Sequence, residues 1–218
     1  MDFSLSTIVL WAVPVVFAIT LHEAAHGYVA RMFGDQTAWM LGRVTLNPIK
    51  HIDPVGTILV PGMLVAVAAL THTPAFIFGW AKPVPVNFGN LRNPKRDMFW
   101  VAGAGPLANF VMAVMWGFML KGASPGGMIA SNGLLEMAGA GIQINLMLLA
   151  LNLLPILPLD GGRIAVSLLP HGLAASYSRL EPYGFMVVIL LLATGILSDL
   201  MRPILRVAEY ALGFVLGL

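Results

Sequence analysis

Six apolar stretches, at residues 5–33, 55–71, 98–120, 134–153, 183–197 and 203–218, follow one another with only short Gly- and Pro-rich joints between most of them. A helix of about 20 mostly apolar residues crosses the hydrocarbon core of a bilayer, and several of these stretches have that length. A soluble fold would need charges to cover its surface. Asp, Glu, Lys and Arg make up only 10% of the 218 residues, against about 25% in an average soluble domain. The hydrophobic set is 58% before the 23 glycines are added, and mean hydropathy is +0.85. Disorder is excluded as well, because so apolar a chain does not stay solvated. The expected fold is an all-α polytopic membrane protein, a bundle of about five to six transmembrane helices forming one domain over residues 1–218.

Two connections read differently from the rest. RVTLNPIKHIDP (43–54) and FGWAKPVPVN (78–87) mix Val, Thr, Trp and Asn with prolines, a composition that suits short edge strands. A small membrane-associated β-hairpin is expected there. The N-terminal apolar run lacks a basic flank, so it is read as a retained helix and not a cleaved leader. The chain has no cysteine, which removes thiolate sites. No basic stripe with interleaved aromatics points to nucleic acid, and nothing specifies an oligomeric state.

Charge distribution orients the chain. If residues 55–71 cross fully, the twelve Lys and Arg divide six against six. If they dip in and return, Arg31, Arg43, Lys50, Lys82, Arg92, Lys95, Arg96, Arg163 and Arg179 share one side, and Lys121, Arg202 and Arg206 the other. Nine against three satisfies the positive-inside rule. The re-entrant arrangement is therefore expected, with the far end of the first helix at the cytoplasmic face.

That far end carries His22-Glu23-Ala24-Ala25-His26, an HExxH string between LWAVPVVFAITL and GYVARMF. Residues four apart share a helix face, so both imidazoles can reach one metal ion. Glu23 is offset by one position, near enough to take a proton from a water on that metal. In a soluble helix such a string often merely faces water. Within an apolar helix each charged group costs roughly 2.5–3.5 kcal/mol at the centre, and a divalent cation is the simplest compensation.

A catalytic zinc usually takes three protein ligands. His51, His72 and His171 fall in or near loops, where a solvated or interfacial histidine is the simpler expectation. Asp160, in LNLLPILPLDGGRI, is the better candidate, on the same cytoplasmic side as the histidines. Gly161 and Gly162 permit close backbone packing around it. The alternatives are that Asp160 caps a helix or pairs with Arg163.

HEAAH in a first membrane helix and LDG near the end of a later one resemble the two signatures of the site-2 protease family, the intramembrane zinc metalloproteases. AGAGPLANF, with Gly105, Pro106 and Asn109, resembles that family's GPxxN element. LNLLPILPLDG, from Asn152 through Gly161, matches its NxxPxxxLDG element, and FGWAKPVPVN resembles its edge-strand region. Together these run from His22 to Arg163. The resemblance implies one Zn2+ held by His22, His26 and Asp160, with Glu23 as general base, in a core without the PDZ or CBS module of larger members. With the chain's compactness it also suggests a prokaryotic plasma membrane, and the charge count puts the active site towards the cytoplasm.

Asn109 and Asn152 are amides in apolar surroundings and need partners. They are expected to hold the substrate backbone or the oxyanion, or else to bond between helices. The expected partners are the bilayer and a transmembrane-helix substrate. That helix must unwind to expose an amide, and segments 43–47 and 84–87 could pair with the unwound piece. Rival functions are a transporter or channel using the His/Glu/Asp cluster as a metal or proton site, and an inactive scaffold. The gathering of polar groups near one level disfavours a transport pathway.

Overall fold

The structure is a computed structural model that describes residues 5–71, 79, 82–124 and 126–217. Its α-helices are α1 (Leu5–Met32), α2 (Thr37–Met40), α3 (Val60–Thr71), α4 (Pro94–Ala123), α5 (Asn132–Asn152), α6 (Asp160–Leu168), α7 (His171–Ser178), α8 (Glu181–Ala193) and α9 (Ile196–Leu216). Tight turns at Pro48–His51 and Phe88–Asn90 and a wide π turn at Pro54–Leu59 complete the pattern.

Helices α1, α4 and α5 pack pairwise; α6 lies against α4, and α9 against both α4 and α5. Small residues make the approach possible, with Ala18, Ala30, Ala113, Ala138 and Ala150 all fully buried. In a bilayer such contacts depend on close backbone packing, since lipid is as apolar as a leucine side chain. One apolar cluster joins Ala113 of α4 to Leu146 and Leu149 of α5 and to Ala208, Leu212 and Leu216 of α9. Asn93 and Pro94 open α4, where the Asp97 carboxylate accepts the Asn93 N–H at 2.8 Å. This bond satisfies a donor left free by helix geometry.

The helical class agrees with expectation, but the number of spans does not. Among the described residues, α4 and α5 are long and apolar enough to cross a membrane, and α8 with α9 adds at most one more. Five to six spans are not reached among the described residues. At 1.5 Å per residue, the 13 residues of α8 reach about 20 Å, short of a core about 30 Å thick. α9 has the length but carries Asp199, Arg202, Arg206 and Glu209, and it leaves α8 at 92°. Gly195, at φ +77°, makes that corner, in a region where an L side chain is strained. α1 is 28 residues long, and His22, Glu23 and His26 lie in its C-terminal half.

The expected β-hairpin is also absent among the described residues. Of FGWAKPVPVN, residues 78, 80 and 81 lie outside the description; 82–87 are extended but pair with no strand. Pro83 and Pro85 have no N–H to give a ladder. The Arg43 guanidinium occupies the Lys82 and Pro83 carbonyls, and the Val84 N–H goes to a side chain. In the first segment, Asn47 accepts from Ile49 N–H and caps the turn at Pro48–His51, ending extended structure there.

Candidate metal centre

The HExxH spacing places His22 and His26 one helical turn apart on the inner face of α1, both buried. Their Nε2 atoms lie 3.1 Å from each other. Asp160, the first residue of α6, brings its carboxylate between them. Oδ2 is 3.2 Å from His22 Nε2, and Oδ1 is 3.3 Å from His26 Nε2. The three residues thus form a potential metal site.

Hydrogen bonds at the opposite nitrogens fix which lone pairs face inward. His26 Nδ1 lies 2.7 Å from the Val101 carbonyl, which can only accept. His22 Nδ1 lies 2.6 Å from Asn109 Oδ1. The orientation of that amide is set in turn, because Asn109 Nδ2 donates to the Ala18 carbonyl at 3.3 Å and to Asn145 Oδ1 at 2.9 Å. Asn145 Nδ2 donates to the Gly141 carbonyl at 2.8 Å. Each neutral imidazole therefore carries its proton on Nδ1 and presents a bare Nε2. In that tautomer two nitrogen lone pairs and a carboxylate meet in a buried space.

That arrangement fits a cation. Asp160 Oδ2 is buried without a hydrogen-bond partner, a costly condition for a carboxylate oxygen unless positive charge satisfies it. Ligands about 2.0–2.2 Å from a tetrahedral zinc stand roughly 3.3–3.6 Å apart, close to the three observed separations. Space beside the nitrogens exists because position 105 has no side chain. A Cβ there would sit 2.5 Å from His26 Nε2 and 2.6 Å from His22 Nε2. At Gly161 and Gly162, a Cβ would meet the backbone of the turn after α5 (residues 153–157), so both hold Asp160's helix tight against that turn.

The alternatives for Asp160 are not realised. Arg163 pairs with Glu181 at 2.8 Å and lies over the Phe88 ring, and no capping hydrogen bond from Asp160 is formed. Glu23 is half-buried, with Oε2 accepting the Val84 N–H at 2.7 Å. Asn109 is fully buried, its amide engaged by His22, Ala18 and Asn145. Asn152 is half-buried and turns its Nδ2 back onto the Leu148 carbonyl at 3.0 Å.

The other histidines differ from one another. His171 is exposed, as expected. His72 lies outside the described residues. His51 corrects the expectation of solvation: it is buried, with Nε2 3.0 Å from the Thr45 carbonyl, because the connection after α2 folds back over α1. Sequence reasoning missed Asn145, although an amide midway along an apolar helix, seven residues before Asn152, signals a buried partner. The contributions of the Val101 carbonyl and the Val84 N–H had no side-chain signal to find.

Comparison with known proteins identifies the family. Residues 118–194, which include Asn152 and Asp160, match the model of peptidase family M50. A Bacillus subtilis (strain 168) protein named "Putative zinc metalloprotease YwhC" is 41% identical over 208 residues, covering 94% of this chain and 89% of that protein. "Putative zinc metalloprotease Rip2" of Mycolicibacterium smegmatis is 30% identical over 187 residues, 84% of this chain and 66% of that protein. No solved structure matches. With a buried His-His-Asp triangle and a relative this similar over nearly its whole length, the chain belongs to peptidase family M50, the site-2 protease family of metalloproteases.

Proposed function

We propose that this protein is an intramembrane zinc endopeptidase, cutting peptide bonds in transmembrane segments of other proteins. The observation that carries the proposal is the buried triangle of two bare Nε2 atoms and the Asp160 carboxylate, with Glu23 adjacent to His22 in sequence. His22, His26 and Asp160 hold one zinc ion, which when bound acidifies water and polarises the scissile carbonyl. Glu23 takes a proton from the attacking water and delivers it to the leaving amide nitrogen. The Asn109–Asn145 pair keeps His22 in the tautomer that offers Nε2, and Asn152 is offered to the substrate backbone. Apolar helices support residence in a membrane, and the Lys and Arg asymmetry supports a plasma membrane with the site towards the cytoplasm.

The decisive experiment combines metal analysis of purified protein with cleavage of a model single-span helix carrying a Gly-Asn-Pro break. Wild type is expected to hold one zinc per chain and to cut. Glu23→Gln keeps the zinc and loses cleavage; Asp160→Ala loses both. Cleavage by Glu23→Gln at the wild-type rate, or a transport flux altered by it without proteolysis, would overturn the proposal.

A further inference from the structure

Residues 82–87 form an extended strap over the C-terminal half of α1, fixed at successive points. The Lys82 N–H donates to the His51 carbonyl at 2.9 Å, and Arg43 Nη2 donates to the Lys82 and Pro83 carbonyls at 2.9 and 3.3 Å. The Val84 N–H donates to Glu23 Oε2, and the Asn87 N–H to Asp35 Oδ2, each at 2.7 Å. Pro83 and Pro85 carry no N–H. Within residues 83–85 only Val84 can donate, and its donor goes to Glu23.

The Val84 side chain is buried against Ala38 and Val44. Position 27 is glycine where the strap meets α1: a Cβ there would lie 2.7 Å from Val44 Cγ2 and 3.1 Å from Val84 Cγ1. The amide is thus held from three directions while the carboxylate hangs on a flexible stem. A glutamate left free samples many rotamers, and a misplacement of about 1 Å at a reacting group can cost on the order of 100-fold in rate. A 2.7 Å charge-assisted bond removes that freedom. Among the described residues, Glu23 Oε1 has no hydrogen-bond partner.

We propose that the backbone N–H of Val84 is a positioning group for Glu23, fixing the carboxylate through Oε2 so that Oε1 is the oxygen that moves the proton. The role rests on the peptidase function proposed above. Oε1 takes one proton from water as the water oxygen bonds the scissile carbonyl carbon, and gives it to the nitrogen as the C–N bond breaks. Val84 itself touches no reacting atom.

The test replaces the 83–84 amide by an ester, with 2-hydroxy-3-methylbutyric acid at position 84, keeping the side chain and deleting only the N–H. Val84→Ala, which keeps the N–H and trims the packing, is the counterpart. Against the model single-span helix, the ester is expected to lower kcat by about tenfold or more, with KM within about twofold and zinc content unchanged. Val84→Ala, which retains the N–H, is expected to lower kcat several-fold less than the ester does. An ester whose kcat is within about twofold of wild type would overturn the proposal.

A second readout needs no activity. In protein labelled with 15N-valine, the Val84 amide is expected at low field with slow hydrogen exchange, and Glu23→Ala moves it upfield and speeds exchange. An amide indifferent to Glu23→Ala also overturns the proposal. Wild type that binds zinc and cuts nothing instead sinks the peptidase function, while the amide shift still reports the contact.

Discussion

Two buried aspartates, one just past the end of α1 and one against its histidine pair, are treated in opposite ways. Asp35, just beyond α1, is fully satisfied: Oδ1 accepts from Thr37 N–H at 3.0 Å, Thr37 Oγ1 at 2.5 Å and Asn90 Nδ2 at 3.2 Å, and Oδ2 from Asn87 N–H at 2.7 Å. Asp160 is also buried, yet Oδ2 has no hydrogen-bond partner and faces the imidazole nitrogens of His22 and His26. A carboxylate wrapped in N–H and O–H donors is a finished structural element. One aimed at lone pairs is complete only with a cation. Burial of acid groups alone therefore does not mark a metal site; the character of the surrounding atoms does.

The sharpest way to break the contrast is to fill the space beside the nitrogens. Gly105→Ala puts a Cβ within 2.5–2.6 Å of both imidazoles, so it should abolish zinc binding while leaving the Asp35 loop intact. Metal content by mass spectrometry checks this, and full zinc loading in the variant would mean the ion sits elsewhere. Asp35→Ala should do the reverse. It orphans the Thr37 and Asn87 N–H groups and is expected to lower stability by about 2–4 kcal/mol, read by unfolding in detergent, with the zinc site still formed.

A smaller, pH-dependent effect sharpens the distinction. Burial tends to raise the Asp35 pKa, but the hydrogen bonds from Thr37, Asn87 and Asn90 outweigh it and hold the carboxyl below its ordinary value. A depressed folded-state pKa contributes stability that is fully present above the unfolded value, about 3.9, and is lost as pH falls through the folded value. The stability gap between wild type and Asp35→Asn should accordingly hold at pH 5–7 and shrink as pH drops below about 4. A gap that widened on acidification would contradict this assignment.

Much of the site was legible because it rests on spacing. Residues four apart on a helix must share a face, so His22 and His26 followed from the string alone; the cost of ions in an apolar segment pointed to a metal, and the need for a third ligand on the same side pointed to Asp160. Asn145 left a signal that only a partner search would use. The Val84 N–H left none, because every non-proline residue has one and its target depends on tertiary position. Pro83 and Pro85 were misjudged: they suit an edge strand, but here the backbone they interrupt is bound by Glu23, Asp35 and Arg43 instead of another strand. Fewer spans than expected appear among the described residues, because hydropathy reports apolarity without the length a crossing requires, as α8 shows.

X-ray absorption at the zinc edge on the purified wild-type protein tests the central claim most directly. The account predicts one zinc per chain, four-coordinate, with two imidazoles and a carboxylate oxygen at about 2.0–2.2 Å, and loss of the imidazole signal in His22→Ala. A protein that retains no zinc, or whose zinc has no imidazole in its shell, would contradict it.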